Sequence, residues 1–311
     1  MPDLFLGIDT SNYRTSAALV DGEGKIIFNH RELLKVPEGE RGMRQSQAFF
    51  NHVQRLPEVM KQVMAYRESI RLVSVSERPR PREGSYMPCF TAGTACASEI
   101  ASALGVTLFR TSHQEGHIEA VKFYSPFKDD DDVLFFHFSG GTTEAVYKGE
   151  IVGGTLDIAL GQVIDRVGVK LGYLFPAGEE MDKASLKAES PSAYLKPIKV
   201  KDGYMNLSGI ETQSMRKAEE LLDSDESTDP LVRELFDKLG KAVSDMTLQL
   251  TDKFGRKPVL FAGGVSSSEY LRKYIDHKLG DRINYVFGAP ELSGDNAVGV
   301  ALLGMKNYYS R

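Results

Sequence analysis

Leu6-Gly7-Ile8-Asp9-Thr10-Ser11-Asn12 is the segment from which the architecture follows, because a similar one, His137-Phe138-Ser139-Gly140-Gly141-Thr142-Thr143, occurs later in the chain. Each segment is the end of a buried apolar strand that runs into a polar turn. In both places a second and a third strand follow, joined by short turns such as Asp21-Gly22-Glu23-Gly24. The sequence therefore predicts one three-stranded meander that is present twice.

The repeated meander predicts an α/β protein built from two copies of one unit, with a cleft where they face each other. The polar run Ser125–Asp132 precedes the second copy. We therefore place one domain at residues 1–128 and another, with a helical insertion, at residues 129–311, and we expect the last helix to pack back near the first domain. Both polar turns offer hydroxyls and backbone N–H groups to phosphate oxygens, which makes Thr10-Ser11-Asn12 a candidate phosphate-binding turn.

The composition is that of a globular protein, with 41% hydrophobic and 26% charged residues in a chain of 311. No apolar run approaches the length that spans a bilayer, and residues 1–9 lack the features of an export signal. Cys89 and Cys96 are too few for a disulfide framework, so we expect a reducing, cytoplasmic location. The formal charge of −5 means that any nucleic acid would have to meet a local basic patch.

Two histidines, His113 and His117, stand four residues apart in the segment TSHQEGH. A hydrophobic run follows and Thr111 or Ser112 can cap the first turn, so we expect a helix with both rings on one face. Two imidazoles at this spacing can bind one transition metal. The alternative is equally open at this point: one histidine is a solvated helix residue and the other is a satisfied core group.

Other segments carry weaker signals. Residues 44–66 have helical apolar spacing, with Pro57 expected to kink or divide the helix. The basic, proline-rich segment Glu77–Gly84 (ERPRPREG) is more simply a solvated loop than a phosphate-binding one. Gly263 and Gly264 lie between a strand and a helix, where a glycine pair lets backbone approach a ligand but also occurs in plain connections. Asp295 is well suited to cap the last helix or, facing a cleft, to bind a metal.

Taken in order, these segments resemble the motifs of the TsaD family of the actin/Hsp70/sugar-kinase superfamily. HQEGH resembles the family's HxEGH, FSGGTTE its SGGxTQ, FAGGVSSS its AGGVSAN, and GDNAVGVA its TDNGAMIA. GQVIDRVGVKLGY looks like GEAFDKTAKLLG and is followed by PAG in place of PGG, while Asn51-His52-Val53 is similar to DHV. The resemblance covers residues 4–301.

The resemblance implies two duplicated RNase H-like domains with an interdomain cleft. It implies one divalent metal, iron or zinc, bound by His113, His117 and Asp295, and ATP or an adenylated intermediate in the cleft. The family reaction transfers a threonylcarbamoyl group to N6 of the adenosine beside the tRNA anticodon. The implied nucleotide or substrate contacts are Ser139, Gly140, Gly141, Thr142, Asp165, Gly178 and Ser268. tRNA and TsaB/TsaE-like proteins would be the partners, with no membrane.

The chain departs from the family pattern at its first turn. The family's TSCDET is TSNYRT here, so Tyr13 and Arg14 occupy two acidic positions, and Ser268 occupies an asparagine position. The metal-ligand positions are retained while substrate-facing positions differ. Two alternatives therefore stand beside the family activity: an ATP-dependent carbamoyltransferase with another acceptor, or a non-catalytic nucleotide-binding scaffold.

Overall fold

The computed structural model describes residues 2–11, 13–35, 43–188, 190–294 and 297–310. Two candidate site residues, Asn12 and Asp295, lie outside the described residues. The chain forms two compact units, unit 1 from Met1–Lys128 with Gly294–Arg311 and unit 2 from Asp129–Ser293. Within the described ranges, no helix is long and apolar enough to cross a bilayer.

Unit 1 is a five-stranded sheet with helices on its faces. Its strands are β1 Leu4–Ser11, β2 Arg14–Asp21, β3 Ile26–Leu33, β4 Ile70–Arg78 and β5 Thr107–Ser112. Its helices are α1 Gln45–Val63, α2 Phe90–Leu104, α3 His113–Phe123 and, from the far end of the chain, α10 Val298–Tyr309, with a 3-10 turn at Met64–Ser69. The strand order is β3-β2-β1-β4-β5, in which β1 to β3 form the predicted antiparallel meander and β1, β4 and β5 are parallel.

Side chains alternate along β1, so its two faces serve different purposes. Leu6 and Ile8 are fully buried in a core cluster that includes side chains of α1 and α2. On the other face, Gly7 lets α10 approach so closely that a Cβ atom there would lie 2.4 Å from the Ala297 carbonyl oxygen. Asp9 follows on that second face, which positions its carboxylate toward the side of the sheet that α10 covers.

Unit 2 contains a seven-stranded sheet. Its strands are β6 Leu134–Phe138, β7 Thr143–Tyr147, β8 Glu150–Thr155, β9 Val200–Lys201, β10 Tyr204–Met205, β11 Val259–Ala262 and β12 Tyr285–Phe287. Its helices are α4 Leu160–Lys170, α5 Gly178–Lys187, α6 Ser208–Asp223, α7 Asp229–Phe254, α8 Glu269–Leu279 and α9 Pro290–Ser293, with 3-10 turns at Gly264–Ser267 and Gly280–Arg282. One large apolar cluster, including much of α7, forms its core.

The two sheets share one strand order, which is the structural counterpart of the sequence repeat. In unit 2 the order is β12-β11-β6-β7-β8-β10-β9, so the series β8-β7-β6-β11-β12 matches β3-β2-β1-β4-β5 of unit 1. In both series the meander is antiparallel and the remaining pairs are parallel. The duplicated α/β fold predicted from the sequence is thus confirmed.

Some element boundaries differ from the sequence prediction. Pro57 does not divide α1, which continues through it to Val63. A proline costs a helix one hydrogen bond and some steric strain, and α1 offsets this by burying one face that includes Leu56, Val59 and Met60. The last helix begins at Val298, with Ala297 at its N-cap position.

Candidate functional site

The first turn of α3 carries the two histidines in the predicted conformation. Ser112 caps the helix, because its hydroxyl accepts a hydrogen bond from the Glu115 N–H at 3.2 Å. The Glu115 carboxylate in turn accepts from the Ser112 N–H at 2.8 Å. This capping box fixes where α3 starts and therefore where His113 and His117 point. The prediction of a capped helix in this segment is confirmed.

The two imidazole rings approach each other through their Nε2 atoms. His113 Nε2 lies 3.0 Å from His117 Nε2, with the rings almost perpendicular at 79°. His117 is 4% exposed, so this meeting point is shielded on one side by protein. A ligand shared by the two histidines of α3 would bind to these two ring nitrogens.

Asp9 orients the first of these rings. Its Oδ1 atom lies 2.9 Å from His113 Nδ1, and the Ser76 hydroxyl donates a hydrogen bond to the same carboxylate. Asp9 is fully buried at the end of β1. A carboxylate accepts only, so Nδ1 carries the proton of His113 and Nε2 presents its lone pair.

The arrangement of the two rings fits a single bound metal ion. Two nitrogens bound to one ion at about 2.1 Å each would be about 3.0 Å apart at a right angle and about 3.4 Å apart at the tetrahedral angle. The observed separation is 3.0 Å. Histidine ligands of metals usually donate the other ring N–H to a carboxylate, as His113 does to Asp9.

The described residues supply two of the three expected ligands. Among them, no group of three or more His, Cys, Asp or Glu side chains is placed to hold an ion, because Asp9 is engaged with the far nitrogen of His113. The expected third ligand, Asp295, lies outside the described residues. The set His113, His117 and Asp295 therefore stays a prediction.

The turn after β1 is fixed from two helices. His52 of α1 is fully buried; its Nε2 lies 2.9 Å from the Ser11 carbonyl oxygen and its Nδ1 lies 2.8 Å from the Thr15 hydroxyl. The Thr10 hydroxyl donates to the Cys89 carbonyl at 3.1 Å and accepts from the Gly93 N–H at 3.1 Å. Since the Thr10 hydroxyl already makes these two hydrogen bonds within the protein, a phosphate at this turn would have to use other donors.

Unit 2 contains a pocket of about 460 Å³, a size typical of small-molecule sites. Its walls bring together four of the residues predicted to contact a nucleotide, Gly140, Asp165, Gly178 and Ser268. The remaining three lie in the Gly140 turn, where the Ser139 hydroxyl accepts from the N–H groups of Gly141 at 3.4 Å and Thr142 at 3.1 Å. The predicted residues therefore come from four separate segments to one place.

Asp165 of α4 links two walls of this pocket. Its Oδ1 atom accepts from the Ala177 N–H at 2.8 Å, which holds the loop before α5. Its Oδ2 atom faces the turn at Gly140, at 4.0 Å from where a Cβ would stand. Burial raises the pKa of Asp165, and the N–H groups of Ala177 and Gly178 oppose that rise.

Ser268 is engaged with α5. Its hydroxyl accepts from the Leu271 N–H and so caps α8, and it donates to Asp182 Oδ1. The Asp182 carboxylate also accepts from the N–H groups of Glu269 at 2.9 Å and Tyr270 at 3.1 Å. The Ser268–Asp182 pair thus ties the first turn of α8 to α5, across the pocket that both residues line.

Close backbone contact builds the floor of the pocket. Gly263 has φ +93°, and a Cβ atom there would lie 2.2 Å from the Phe138 carbonyl oxygen. A Cβ on Gly161 would lie 2.6 Å from the Ser139 carbonyl oxygen. These glycines let β11 and α4 approach the turn after β6. The strand, glycine pair and helix noted in the sequence therefore mark a place where two backbone segments come into close contact.

The sequence analysis did not identify Asp9, Ser76 or Asp182. Asp9 ends a buried strand and precedes two hydroxyl residues, which is a signal that could have singled it out. Asp182 lies four residues after Gly178 and therefore on the same face of α5. Ser76 gave no signal in the sequence, since its role depends on the parallel pairing of β1 with β4.

Comparisons with known proteins agree on one family. A family model described as TsaD, tRNA N6-adenosine threonylcarbamoyltransferase, matches residues 27–302. A protein of that name from Methanopyrus kandleri is 24% identical, in an alignment that covers 96% of this chain and 86% of the relative.

Solved structures share the fold at much lower identity. The activator of 2-hydroxyisocaproyl-CoA dehydratase from Clostridium difficile, with bound ADPNP, superposes with a TM-score of 0.59 at 12% identity over 99% of this chain and 96% of that chain. A ROK family glucokinase from Streptomyces griseus, in complex with glucose and AMPPNP, gives 0.51 at 13% identity over 97% and 99%. The fold is thus that of the actin/Hsp70/sugar-kinase superfamily, as predicted.

Proposed function

Because this chain belongs to the TsaD family of tRNA N6-adenosine threonylcarbamoyltransferases, we propose that it transfers a threonylcarbamoyl group to N6 of the adenosine beside the tRNA anticodon, and that it needs a metal and a nucleotide to do so. The observation that carries the proposal is the convergence of His113 Nε2 and His117 Nε2 at 3.0 Å, held by the buried Asp9.

His113 and His117 would hold the metal, with Asp295 as the expected third ligand. An iron or zinc ion bound there would act as a Lewis acid toward a carbonyl or phosphoryl oxygen. Asp9 would keep the Nε2 lone pair of His113 directed at the ion, because its carboxylate accepts a hydrogen bond from the Nδ1–H group. Ser76 donates to Asp9 and helps to hold this buried carboxylate in place.

The pocket of unit 2 would bind the nucleotide or the adenylated donor. Gly140 and Gly264 leave its walls open to close backbone approach, and the Oδ2 atom of Asp165 can accept a hydrogen bond from a ligand hydroxyl. Acidic side chains line the pocket, and among the residues that the structure describes no Lys or Arg lines it. It therefore suits the hydroxyl-bearing nucleoside better than an uncompensated triphosphate. Two solved structures of this fold carry ADPNP or AMPPNP, which supports nucleotide use.

The proposed transfer needs no protein nucleophile. The N6 amine attacks the carbamoyl carbon of an adenylated donor, a C–N bond forms, and the bond from that carbon to the phosphate oxygen breaks. AMP leaves with the bonding electrons, and the amine gives up one proton. The protein's part is to bring the amine and the carbonyl carbon together. Holding two reactants in the right geometry lowers the free-energy barrier of the reaction between them.

A second candidate is a carbamoyl transfer to a different acceptor. Arg14 favours it, because the family has an acid there and the Arg14 guanidinium reaches the segment before the expected ligand Asp295. Its Nη1 atom is 3.4 Å from where a Cβ on Gly294 would stand. An arginine in place of a carboxylate reverses the local charge and would favour an anionic group on the substrate.

The test is reconstitution with tRNA, an adenylated threonylcarbamoyl donor and iron or zinc, followed by mass spectrometry of the digested nucleosides. We expect N6-threonylcarbamoyladenosine with the wild type and its loss, together with bound metal, in His113→Gln/His117→Gln. His277→Gln, an exposed histidine on α8, is the matched control and should behave as wild type.

Three outcomes separate the alternatives. Product formation at wild-type rate by the double variant would contradict the metal-dependent mechanism. Donor consumption without modified tRNA, but with a carbamoylated small molecule, would favour the second candidate. Nucleotide binding without any transfer would leave a non-catalytic scaffold.

A further inference from the structure

The end of β4 and the loop after it are rich in arginine and have no part in the proposed chemistry. This stretch reads Glu77-Arg78-Pro79-Arg80-Pro81-Arg82-Glu83-Gly84-Ser85-Tyr86, with three arginines at alternate positions. We call this segment, Glu77–Tyr86, the arginine loop.

The arginine loop lies beside the two-histidine helix. Arg78, the last residue of β4, pairs with Ser112, the cap of α3, in the parallel sheet register. One step further, the Gln114 N–H donates to the Pro79 carbonyl at 3.0 Å. The loop is therefore anchored on both sides of His113, and a ligand bound to it would also lie near that histidine.

The loop itself carries more basic than acidic residues. Glu77 accepts from Arg110 at 3.0 Å and lies 4.0 Å from Arg78, while Glu83 is exposed. The five charged residues of the loop together with Arg110 have a formal charge of +2, on a chain whose formal charge is −5. Such a local patch is what a polyanion needs in order to approach an acidic protein.

Arg78 has an unmet hydrogen-bonding requirement. Its side chain is 40% exposed, yet its Nε atom is buried and has no acceptor among the residues that the structure describes. A buried donor without a partner is costly, and arginine forms its best hydrogen bonds to phosphate and carboxylate oxygens.

The aromatic residue at the end of the loop selects among polyanions. Tyr86 is 69% exposed and Arg82 is exposed as well. Unpaired RNA bases stack on exposed aromatic rings while arginines contact the phosphates between them. A free phosphate or polyphosphate would use the arginines alone, so the exposed ring favours RNA.

We propose that the arginine loop binds the single-stranded region of the RNA acceptor, with Arg78, Arg80 and Arg82 on its phosphates and Tyr86 against a base. This inference rests on the proposed function, because it takes tRNA as the substrate. The anticodon loop, which contains the acceptor adenosine, would then lie next to His113.

The test compares two triple variants with equal loss of charge. The loop variant is Arg78→Gln/Arg80→Gln/Arg82→Gln. Binding of tRNA and of the isolated anticodon stem-loop is measured by fluorescence anisotropy at several salt concentrations. We expect about tenfold or greater loss of affinity and a smaller salt dependence, by about 0.7–0.9 in log–log slope for each phosphate contact removed.

The control variant is Arg55→Gln/Lys61→Gln/Arg67→Gln, which changes exposed residues on α1 and in the 3-10 turn after it. We expect it to bind RNA within about twofold of the wild type. Equal weakening by both variants would show a general charge effect and overturn the proposal. Circular dichroism and thermal unfolding establish that both variants fold.

Tyr86→Ala tests the stacking contact. We expect about fivefold or greater loss of affinity for the stem-loop and no change for inorganic tripolyphosphate. If the loop variant loses tripolyphosphate binding but keeps RNA binding, the ligand is a free phosphate compound and the proposal is wrong.

Transfer activity separates this inference from the proposed function. A wild type that binds RNA through the loop but forms no modified nucleoside would contradict the function and keep the loop assignment. A loop variant that binds and modifies tRNA like the wild type would contradict the loop assignment and keep the proposed function.

Discussion

Asp9 Oδ1 lies 2.9 Å from His113 Nδ1, although 104 residues separate them in the chain. The contact forms at the carboxyl ends of parallel strands, since Asp9 lies near the end of β1 and His113 directly follows β5. A fully buried carboxylate is expensive unless it is hydrogen-bonded, and Asp9 meets this requirement through His113 and Ser76. The orientation of one histidine thus depends on the pairing of three strands.

We expect Asp9→Asn to lower metal affinity by about 10–100-fold, because an amide cannot hold the Nδ1 proton of His113 as a carboxylate does. Metal content after dialysis against a graded chelator series measures this change. Asp3→Asn, an exposed carboxylate that pairs with Arg71, should retain wild-type metal content. Equal metal retention in both variants would contradict the role given to Asp9.

We expect Asp182→Ala to lower the free energy of unfolding by about 1–3 kcal/mol, because the first N–H groups of α8 and the Ser268 hydroxyl lose their acceptor. Urea unfolding measures the change. Asp182→Asn keeps one oxygen and should lose less. Glu180→Ala removes an exposed acid from the same helix and should change the free energy of unfolding by less than about 0.5 kcal/mol.

We expect Gly263→Ala to destabilise unit 2 by at least about 2 kcal/mol, since the new side chain meets both the Phe138 carbonyl and a backbone, φ +93° and ψ 160°, that is essentially restricted to glycine. Gly255→Ala is the matched control, because Gly255 has φ +85° and open space around it. The free energy of unfolding of Gly255→Ala should fall only by the cost of placing a side chain on a left-handed backbone, about 1–2 kcal/mol. Equal losses in thermal unfolding would show that the close contact at Gly263 has no energetic effect.

We expect stability to fall as the pH drops below about 6.5, and His52 to contribute to this fall. Burial lowers the pKa of His52 in the folded protein from its ordinary value of 6.5. Between the lowered pKa and 6.5, the unfolded chain binds a proton that the folded chain does not. Unfolding is therefore favoured as the pH falls through that window.

Urea unfolding of wild type, His52→Gln and His277→Gln at about pH 7.5 and 5.5 measures the pH effect. His52→Gln should show a smaller loss between the two pH values, and His277→Gln should follow the wild type. A pH dependence unchanged in His52→Gln would assign the effect to other groups.

The sequence predicted those features that depend on local pattern. The meander repeat follows from alternating strands and short turns, and the start of α3 follows from the possible caps Thr111 and Ser112 and the hydrophobic run after them. The gathering of Gly140, Asp165, Gly178 and Ser268 was expected from family motifs rather than from physical reasoning. Local patterns and motifs therefore predicted the fold and parts of two sites, the histidine pair of α3 and the pocket of unit 2.

Features that depend on long-range packing were not predictable. Asp9 reaches His113 only through strand pairing, and the Ser268 hydroxyl reaches Asp182 only through the packing of α8 beside α5. Pro57 suggested a break in α1 because sequence patterns weigh the lost hydrogen bond but not the buried face of the helix. Each of these outcomes is decided by contacts between residues far apart in the chain.

Unit 1 draws its sheet from the first part of the chain and α10 from the last. During translation, the face of β1 that carries Gly7 must wait for α10 while all of unit 2 is synthesised, roughly ten to thirty seconds at about 5–20 residues per second. Unit 2, which is continuous in sequence, can complete its core first. The nascent chain therefore exposes an unfinished apolar face for that interval, where a chaperone would have time to act.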